Sequence, residues 1–238
     1  MQEKETNPFF TPVFEDNHLL VVHKLPNVPV QEDASGDPDL LNALKAYLKT
    51  KYNKPGNVFL GMVHRLDRPA SGLMVFARTS KAASRLSEQF RLRQLSKKYL
   101  AVVQGTPPPQ ADLRDFLVKD AATNKVSVVA PGRAGAKEAR LSLKLIKHLN
   151  GLSLIEIDLE TGRSHQIRVQ CAHAGFPLWG DYKYGDGNQP QGRTLALLSA
   201  RLGFTHPTLK KEMTFSADFP QDSPWNRFDA PAQQQEFI

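Results

Sequence analysis

Residues 62–77 read MVHRLDRPASGLMVFA, in which an apolar run is followed by a charged segment and then by a second apolar run. Proline and glycine lie between the two runs, so the pattern predicts a strand, a sharp loop and another strand. The loop carries a single carboxylate, Asp67, close to three basic residues, His64, Arg65 and Arg68. Because nearby cations favour the ionised form of a carboxylate, Asp67 is a candidate nucleophile or base. A solvated surface turn with a salt bridge is the alternative.

The same loop carries a family signature. The run His64-Arg65-Leu66-Asp67, followed by Ser71-Gly72, resembles the signature of the RluA-type pseudouridine synthases. That family has its catalytic Asp at this position, which implies a catalytic role for Asp67. The resemblance also implies that the neighbouring residues His64, Arg65 and Leu66 bind the substrate. The family usually has Thr before the Ser, and this chain has Ala70 there instead.

Later stretches resemble further motifs of the family, in the family's order. Residues 97–101 read KKYLA and resemble Lys-x-Tyr-x-Ala, which implies that Tyr99 is an active-site residue. Taken alone, a Tyr in a strand is usually a core aromatic with its hydroxyl at the edge. Residues 162–168 read GRSHQIR and closely resemble Gly-Arg-x-His-Gln-Ile-Arg, which implies that Arg168 pairs with Asp67. The same motif gives three substrate-binding candidates, Arg163, His165 and Ile167. Residues 177–185 are similar to the family's Pro-x-x-Gly-Asp-x-x-Tyr-Gly stretch.

The resemblance implies the fold and the domain organisation. The implied fold is α+β, with a curved, mostly antiparallel mixed sheet, helices packed outside it and a central active-site cleft. We expect a loose N-terminus over residues 1–11, the catalytic domain over residues 12–219 and a polar C-terminal tail over residues 220–238. Many family members carry a small RNA-binding domain before the catalytic domain, and we expect none here, because the first motif begins near residue 12.

Local patterns predict the main elements around these motifs. Two short strands should surround a turn at Asp16-Asn17. One helix should follow Asp37, its expected N-cap, and a second should begin at Ser80, its own N-cap, and bury Ala83, Leu86 and Phe90. Further strands are predicted over residues 96–105, 139–149 and 151–159, the last two joined at Asn150-Gly151, and a strand or short helix over residues 195–204. Residues 106–140 are polar and rich in turns, which favours an irregular strand pair or an insertion.

The net charge of +7 and the pI near 9.5 favour a polyanionic partner, RNA or DNA before a membrane. Charged residues near the end of the second helix would form a phosphate-contacting patch, or else an ordinary solvated face: Arg91, Arg93, Lys97 and Lys98. A basic protein without a nucleic-acid partner is the alternative. The chain has one cysteine, Cys171, so it cannot form an internal disulfide, which suits the cytoplasm.

Other function classes are disfavoured by what the sequence lacks. No signal peptide or long apolar run is present, so we expect no membrane partner. No glycine-rich nucleotide fingerprint is present, and the implied reaction needs no cofactor. His165 and His173 have no Cys or carboxylate at ligand spacing, so no metal is expected. Nothing in the sequence demands more than a monomer.

The resulting hypothesis is an enzyme that isomerises uridine in ribosomal or transfer RNA to pseudouridine. A structured stem-loop would be the substrate, and the target base must be flipped out or already unpaired. One alternative is an RNA-binding protein on the same scaffold that has lost catalysis. Another is a glycoside hydrolase, although that chemistry usually needs two carboxylates facing the sugar, and the sequence offers one good candidate.

Overall fold

The computed structural model describes residues 7–185 and 193–231 and has the α+β fold predicted from the sequence. Its strands are β1 (Phe10–Glu15), β2 (Leu19–Lys24), β3 (Gly61–Met62), β4 (Ser71–Ala77), β5 (Ser96–Gln104), β6 (Gln110–Asp120), β7 (Lys125–Val129), β8 (Lys137–Leu149), β9 (Leu152–Leu159), β10 (Leu197–Thr205) and β11 (Glu212–Ser216). Its helices are α1 (Leu40–Lys51), α2 (Ser80–Leu92) and α3 (Gln166–His173). The chain forms two compact units, one of residues 1–96 and 201–217, the other of residues 97–200 and 218–238.

In the first unit, β1, β2 and β4 pair antiparallel in that order, and β3 adds to β4. The predicted turn between β1 and β2 is confirmed. Asp16 closes it, because its carboxylate accepts from the backbone N–H groups of His18 and Leu19 at 2.7 Å. The predicted strand, loop and strand around Asp67 are also confirmed as β3, residues 63–70 and β4.

The N-caps of both helices in this unit differ from the prediction. Asp39, not Asp37, caps α1 by accepting from the Asn42 N–H. Thr79, not Ser80, caps α2 by accepting from the Ala82 N–H. In each case two capping residue types lie close together in the sequence, and the one whose backbone is extended just before the first helical residue is the cap.

The buried face of α2 also differs in part from the prediction. Leu86 is buried as expected, and Ala82 is the second buried residue of the helix. Ala83 and Phe90 are only half-buried. Phe90 instead stacks on the His64 ring, with centroids 4.7 Å apart, so it lies against the loop that carries Asp67.

In the second unit, β5 pairs with β9, β9 with β8, β8 with β6, and β6 with β7, each antiparallel. The predicted hairpin between β8 and β9 is confirmed, and Asn150 and Gly151 both have positive φ there, at 50° and 75°. Residues 106–140 are more regular than expected, because they contain an 11-residue strand, β6, and its hairpin partner β7.

Helix α3 packs against β6 and β7, and most of its residues are buried. Gln166 and Gln170 both use their amides toward β8, donating to the carbonyls of Arg140 and Ala139. Cys171 is a core residue of this helix, as its apolar surroundings in the sequence predicted, and burial raises the pKa of its thiol to about 12. These contacts anchor the helix that carries the Gly-Arg-x-His-Gln-Ile-Arg motif.

The last third of the chain adds strands and a packed segment. Leu197–Thr205 is a strand, and β11, which the sequence did not reveal, pairs with its end through residues 201–205. Residues 220–231 are less solvated than the polar composition suggested, because Trp225 and Phe228 are buried. The rest of the expected tail, residues 232–238, lies outside the described residues, as do residues 1–6 of the expected loose start. Over residues 7–185 and 193–231, no helix is long and apolar enough to cross a membrane.

Candidate active site

The loop of residues 63–70 holds Asp67 in a half-buried position. The Asp67 carbonyl accepts from the Ala70 N–H at 3.1 Å, which closes a tight turn. Arg68, on the next position, donates to the Asn27 carbonyl at 3.2 Å and to the Asp37 carboxylate at 2.5 Å. The loop is therefore tied at its tip to the segment that precedes α1.

A buried lysine supports the same loop from beneath. Lys24, at the end of β2, is fully buried, and its Nζ donates at 2.9 Å to the carbonyls of Leu25, Val28 and Arg68. Burial lowers the pKa of Lys24 to about 7, Asp67 acts in the opposite direction, and Arg68 adds to the lowering. Lys24 is thus a buried amine within electrostatic reach of the predicted catalytic carboxylate.

The other candidates on this loop divide into packed and exposed side chains. His64 accepts at Nε2 from the Val75 N–H at 3.0 Å, in addition to stacking on Phe90. Leu66 is buried, and Arg65 is exposed. Of the three predicted substrate-binding residues, Arg65 is therefore the one whose side chain is open to solvent.

In the second unit, Arg168 is buried and held by a carboxylate that the sequence did not point to. Its guanidinium donates from Nε and Nη2 to the two oxygens of Asp181 at 2.8 and 2.6 Å. Asp181 is itself buried and also accepts from the backbone N–H groups of Lys183 and Tyr184. A bidentate pair of this kind fixes both the position and the plane of the guanidinium.

The turn before Asp181 requires glycine. Gly180 has φ 76°, and a Cβ there would lie 2.3 Å from the Thr194 carbonyl oxygen. Any side chain would have to displace backbone atoms, so glycine is what allows residues 177–181 to approach Thr194 and Leu195, which precede β10. The Gly180-Asp181 pair can therefore be explained physically. Gly180 permits the turn, and Asp181 accepts the hydrogen bonds of the Arg168 guanidinium.

His165 occupies a strained position at the start of α3. It is the N-cap residue of the helix, with the left-handed backbone values φ 52° and ψ 21°. Its Nδ1 lies 2.6 Å from the Tyr184 hydroxyl, and the two rings meet edge to face. Arg163, two residues earlier, donates from Nε to the Glu138 carbonyl at 2.9 Å, and Ile167 is buried.

Tyr99 is buried on β5, opposite Ile157 of β9. Lys97, two residues before it, points to the same side of the strand. Burial lowers the pKa of Lys97, and Asp158 acts in the opposite direction. The Lys97 amine also lies near the Gly162 backbone, 3.8 Å from where a Cβ would stand. The strand therefore brings Lys97 to the start of the Gly162–Arg168 motif.

Comparison with known proteins identifies the family. The family profile described as RNA pseudouridylate synthase matches residues 18–173, which include the Asp67 loop, β5 and the whole of α3. The chain belongs to the RNA pseudouridine synthase family. The enzymes of this family are isomerases that act on uridine in RNA, as the motifs implied.

Several relatives of this pseudouridine synthase are known by sequence. The ribosomal large subunit pseudouridine synthase D of Zymomonas mobilis is 39% identical, over 88% of this chain and 69% of its own length. The enzyme of the same name from Neisseria meningitidis is 36% identical, over 88% of this chain and 58% of its own length. An uncharacterised RNA pseudouridine synthase of Bacillus subtilis is 34% identical, over 88% of this chain and 69% of its own length.

Solved structures resemble this pseudouridine synthase in fold. The human RNA pseudouridylate synthase domain containing 4 protein superposes with a TM-score of 0.74, at 24% identity and 88% coverage of both chains. The human RNA pseudouridylate synthase domain containing 1 protein superposes with a TM-score of 0.71 at 22% identity. The superposition covers 92% of this chain and 88% of the human chain. At these identities the likeness concerns the fold, and it agrees with the predicted α+β class.

The predicted site residues of this pseudouridine synthase are carried by both units. The first unit carries His64, Arg65, Leu66 and Asp67, and the second carries Tyr99, Arg163, His165, Ile167 and Arg168. Sequence reasoning missed Lys24, Asp181 and Tyr184. The last two lie in the Pro-x-x-Gly-Asp-x-x-Tyr-Gly stretch, whose polar residues could have been assigned as partners of Arg168 and His165. Among the residues that the structure describes, no three His, Cys, Asp or Glu side chains gather as metal ligands would.

Proposed function

We propose that this chain converts one or more uridines of ribosomal RNA to pseudouridine, with Asp67 as the catalytic carboxylate. The observation that carries the proposal is the family match over residues 18–173, with Asp67 on a loop tied down by Lys24 and Arg68. The choice of large-subunit ribosomal RNA over transfer RNA follows the names of the relatives. The net charge of +7 suits a polyanionic substrate.

The reaction is an isomerisation within one nucleotide. The bond from the sugar C1′ to uracil N1 breaks, the uracil turns, and a bond forms between C1′ and C5. The proton that leaves C5 is matched by one gained at N1, so nothing is oxidised, reduced or hydrolysed overall. Asp67 attacks the sugar or assists departure of the uracil, and in either role it must be ionised and correctly placed.

Arg168, Tyr99 and Arg65 have supporting roles in the proposed reaction. In this proposal Arg168 is the cation that pairs with Asp67, as the family resemblance implies, and Asp181 fixes the plane of its guanidinium. Tyr99 stacks on the uracil and moves a proton during the rearrangement. Arg65, which is exposed, fills the space of the flipped base or grips the RNA backbone.

The remaining candidates are proposed to bind the substrate. Leu66 and Ile167 are buried apolar side chains that suit the wall of a base pocket. His64, Arg163 and His165 are polar candidates for contacts with RNA. We further propose that the chain acts as a cytoplasmic monomer on a structured stem-loop, in keeping with its single buried cysteine.

Pseudouridine mapping on RNA that lacks the modification tests this proposal. Purified protein and its Asp67→Asn variant are each incubated with unmodified ribosomal and transfer RNA, and new pseudouridine sites are mapped. We expect new sites in large-subunit ribosomal RNA with the unaltered protein and none with Asp67→Asn. Circular dichroism and thermal unfolding of the variant verify that it is folded.

Each contrary result has a defined meaning. A site formed equally well by Asp67→Asn would contradict the role of Asp67. New sites confined to transfer RNA would contradict the substrate assignment. Tight RNA binding without any new site would favour the RNA-binding protein that has lost catalysis.

A further inference from the structure

Two arginines from separate parts of the second unit lie over one tryptophan ring. The guanidinium carbon Cζ of Arg193 lies 3.9 Å from the centroid of the Trp179 ring, and Cζ of Arg227 lies 5.6 Å from it. Arg193 precedes β10, whereas Arg227 ends a single turn of 3₁₀ helix. Such contacts are cation–π interactions, in which the electron-rich face of an indole attracts a cation. The ring therefore gathers two positive charges at one place.

The two positive charges have no partner of opposite sign in the part of the chain that the structure describes. There, neither guanidinium donates a hydrogen bond to the protein or pairs with a carboxylate. Asp229, two positions after Arg227, pairs instead with Lys147 at 2.8 Å. Arg227 is exposed and Arg193 is half-buried. Because neighbouring like charges repel each other, an anion bound beside them would stabilise the arrangement.

This cluster is tied to the stretch of chain that holds Arg168. Asp181 accepts from the Arg168 guanidinium at 2.8 and 2.6 Å. The next residue, Tyr182, accepts at its hydroxyl from the backbone N–H of Arg193 at 2.7 Å. The same short stretch also contains Trp179. One segment of the second unit therefore positions both a predicted active-site cation and the arginine cluster.

The chemistry of the cluster suits a phosphate ligand. The guanidinium fork matches the geometry of phosphate oxygens, and stacking on an aromatic ring holds the fork in place before the ligand binds. From these contacts we propose that Arg193 and Arg227, positioned by Trp179, bind phosphates of the RNA strand next to the target uridine. That the ligand is RNA rests on the proposed function, whereas binding can be measured without catalysis.

The salt dependence of RNA binding by the full chain tests this site. Fluorescence anisotropy of a short, fluorescein-labelled stem-loop RNA is measured from low to physiological salt. Each phosphate contact releases counterions, so the double variant Arg193→Gln, Arg227→Gln should bind more weakly. Its slope of log affinity against log salt concentration should be about 1 to 2 units shallower. Circular dichroism and thermal unfolding verify that the variant is folded.

A second double variant controls for total charge. Arg133→Gln with Lys137→Gln removes the same charge from the same unit, and both side chains are exposed without a carboxylate partner among the described residues. Its slope should change by less than about 0.5 unit. Equal changes in the two double variants would overturn the inference. An arginine variant with lower thermal stability and an unchanged slope would overturn it too, because the cation–π contacts would then be purely structural.

Tryptophan emission locates the bound RNA. The chain has two tryptophans, Trp179 and the buried Trp225. Titration with the stem-loop RNA should change the emission of the unaltered protein, and Trp179→Phe should lose that change while Trp225 still reports a folded core. A change that persists fully in Trp179→Phe would contradict binding at this site. An equal response to inorganic phosphate at the same ionic strength would mean that the site takes a free anion and not RNA.

These results are separable from those that test the proposed function. Pseudouridine formation by the unaltered protein, with no effect of the arginine variant on the salt slope, would overturn this inference alone. A shallower slope in that variant, with no pseudouridine formed by the unaltered protein, would support the phosphate site and contradict the proposed function.

Discussion

At the scale of single residues, the position of Asp67 depends on a lysine that is far from it in the sequence. Lys24 is fully buried and uses its three N–H bonds on three carbonyls, one of them in the Asp67 loop. A buried cation is costly unless its hydrogen bonds are satisfied. These hydrogen bonds fix the loop in place. Burial of the Lys24 ammonium group costs free energy, by an amount that depends on pH.

That cost predicts how stability changes with pH. The pKa of Lys24 is about 7 in the folded protein and near 10.5 in the unfolded chain. Between these values the unfolded chain binds more protons, so the free energy of unfolding rises with pH. In urea titrations the free energy of unfolding of the unaltered protein should rise by about 3 kcal/mol relative to that of Lys24→Met between pH 6 and pH 9. An equal difference at both pH values would contradict the lowered pKa.

A second residue-scale prediction concerns the buried pair of Arg168 and Asp181. Removing one charge of a buried pair leaves the other to be accommodated away from water, which typically costs about 3 kcal/mol. Asp181→Asn should lower the free energy of unfolding by that amount in urea titrations. Glu88→Gln is the control, because it breaks an exposed pair with Arg91, and it should cost less than about 0.5 kcal/mol. Similar losses for the two variants would mean that the buried pair contributes no more than a surface one.

At the scale of elements, the N-cap of α2 can be tested by comparing two single variants at the start of the helix. The Thr79 hydroxyl accepts from the Ala82 N–H, whereas Ser80 is already inside α2. Thr79→Ala should therefore lower the free energy of unfolding by about 1 kcal/mol, and Ser80→Ala should change it by much less. Chemical denaturation of the two single variants checks this. The opposite order would restore the cap that the sequence alone favoured.

The elements also show where sequence patterns are informative. The Asp67 loop was predictable because proline, glycine and charge separate two clearly apolar runs. The β6 and β7 hairpin was not, because few of its side chains are buried and the alternation that begins at Ala111 and Leu113 breaks at Asp115 and Phe116. The cap of α1 was misassigned because Asp37 and Asp39 are equally good capping residues, and only the backbone decides between them.

At the scale of the whole molecule, the catalytic assignment combines residues that are about a hundred positions apart. Nothing in periodicity or composition relates Asp67 to Arg168, so the proposal that they pair rests only on the family resemblance. The motif that contains Asp181 was recognisable in the sequence, but its pairing with Arg168 depends on the turn at Gly180 and on the burial of Arg168, which only the structure shows. Charge, in contrast, is a property of the whole chain that the sequence gives directly and that bears on RNA binding.

The excess positive charge predicts how RNA binding responds to salt. Each phosphate contact that a cation makes releases counterions, so the logarithm of affinity falls linearly with the logarithm of salt concentration. Arg91 and Arg93, both exposed at the end of α2, are the cations that we expect to contact phosphate. Replacing both with Gln should weaken binding at every RNA sequence tested and make the salt slope about 1 to 2 units shallower.

The design of this test separates phosphate contact from general charge. Arg114→Gln is the control, because that exposed arginine lies 2.6 Å from the Glu138 carboxylate, whereas Arg91 lies 3.5 Å from Glu88 and is freer to contact a phosphate. Fluorescence anisotropy between low and physiological salt gives the slope of log affinity against log salt concentration for each variant. Turnover at saturating RNA should be unchanged in both variants, since neither substitution is in the loop that carries Asp67. An unchanged slope in the Arg91 and Arg93 variant would mean that the end of α2 is a solvated face. The phosphate contacts would then have to come from other cations of the chain.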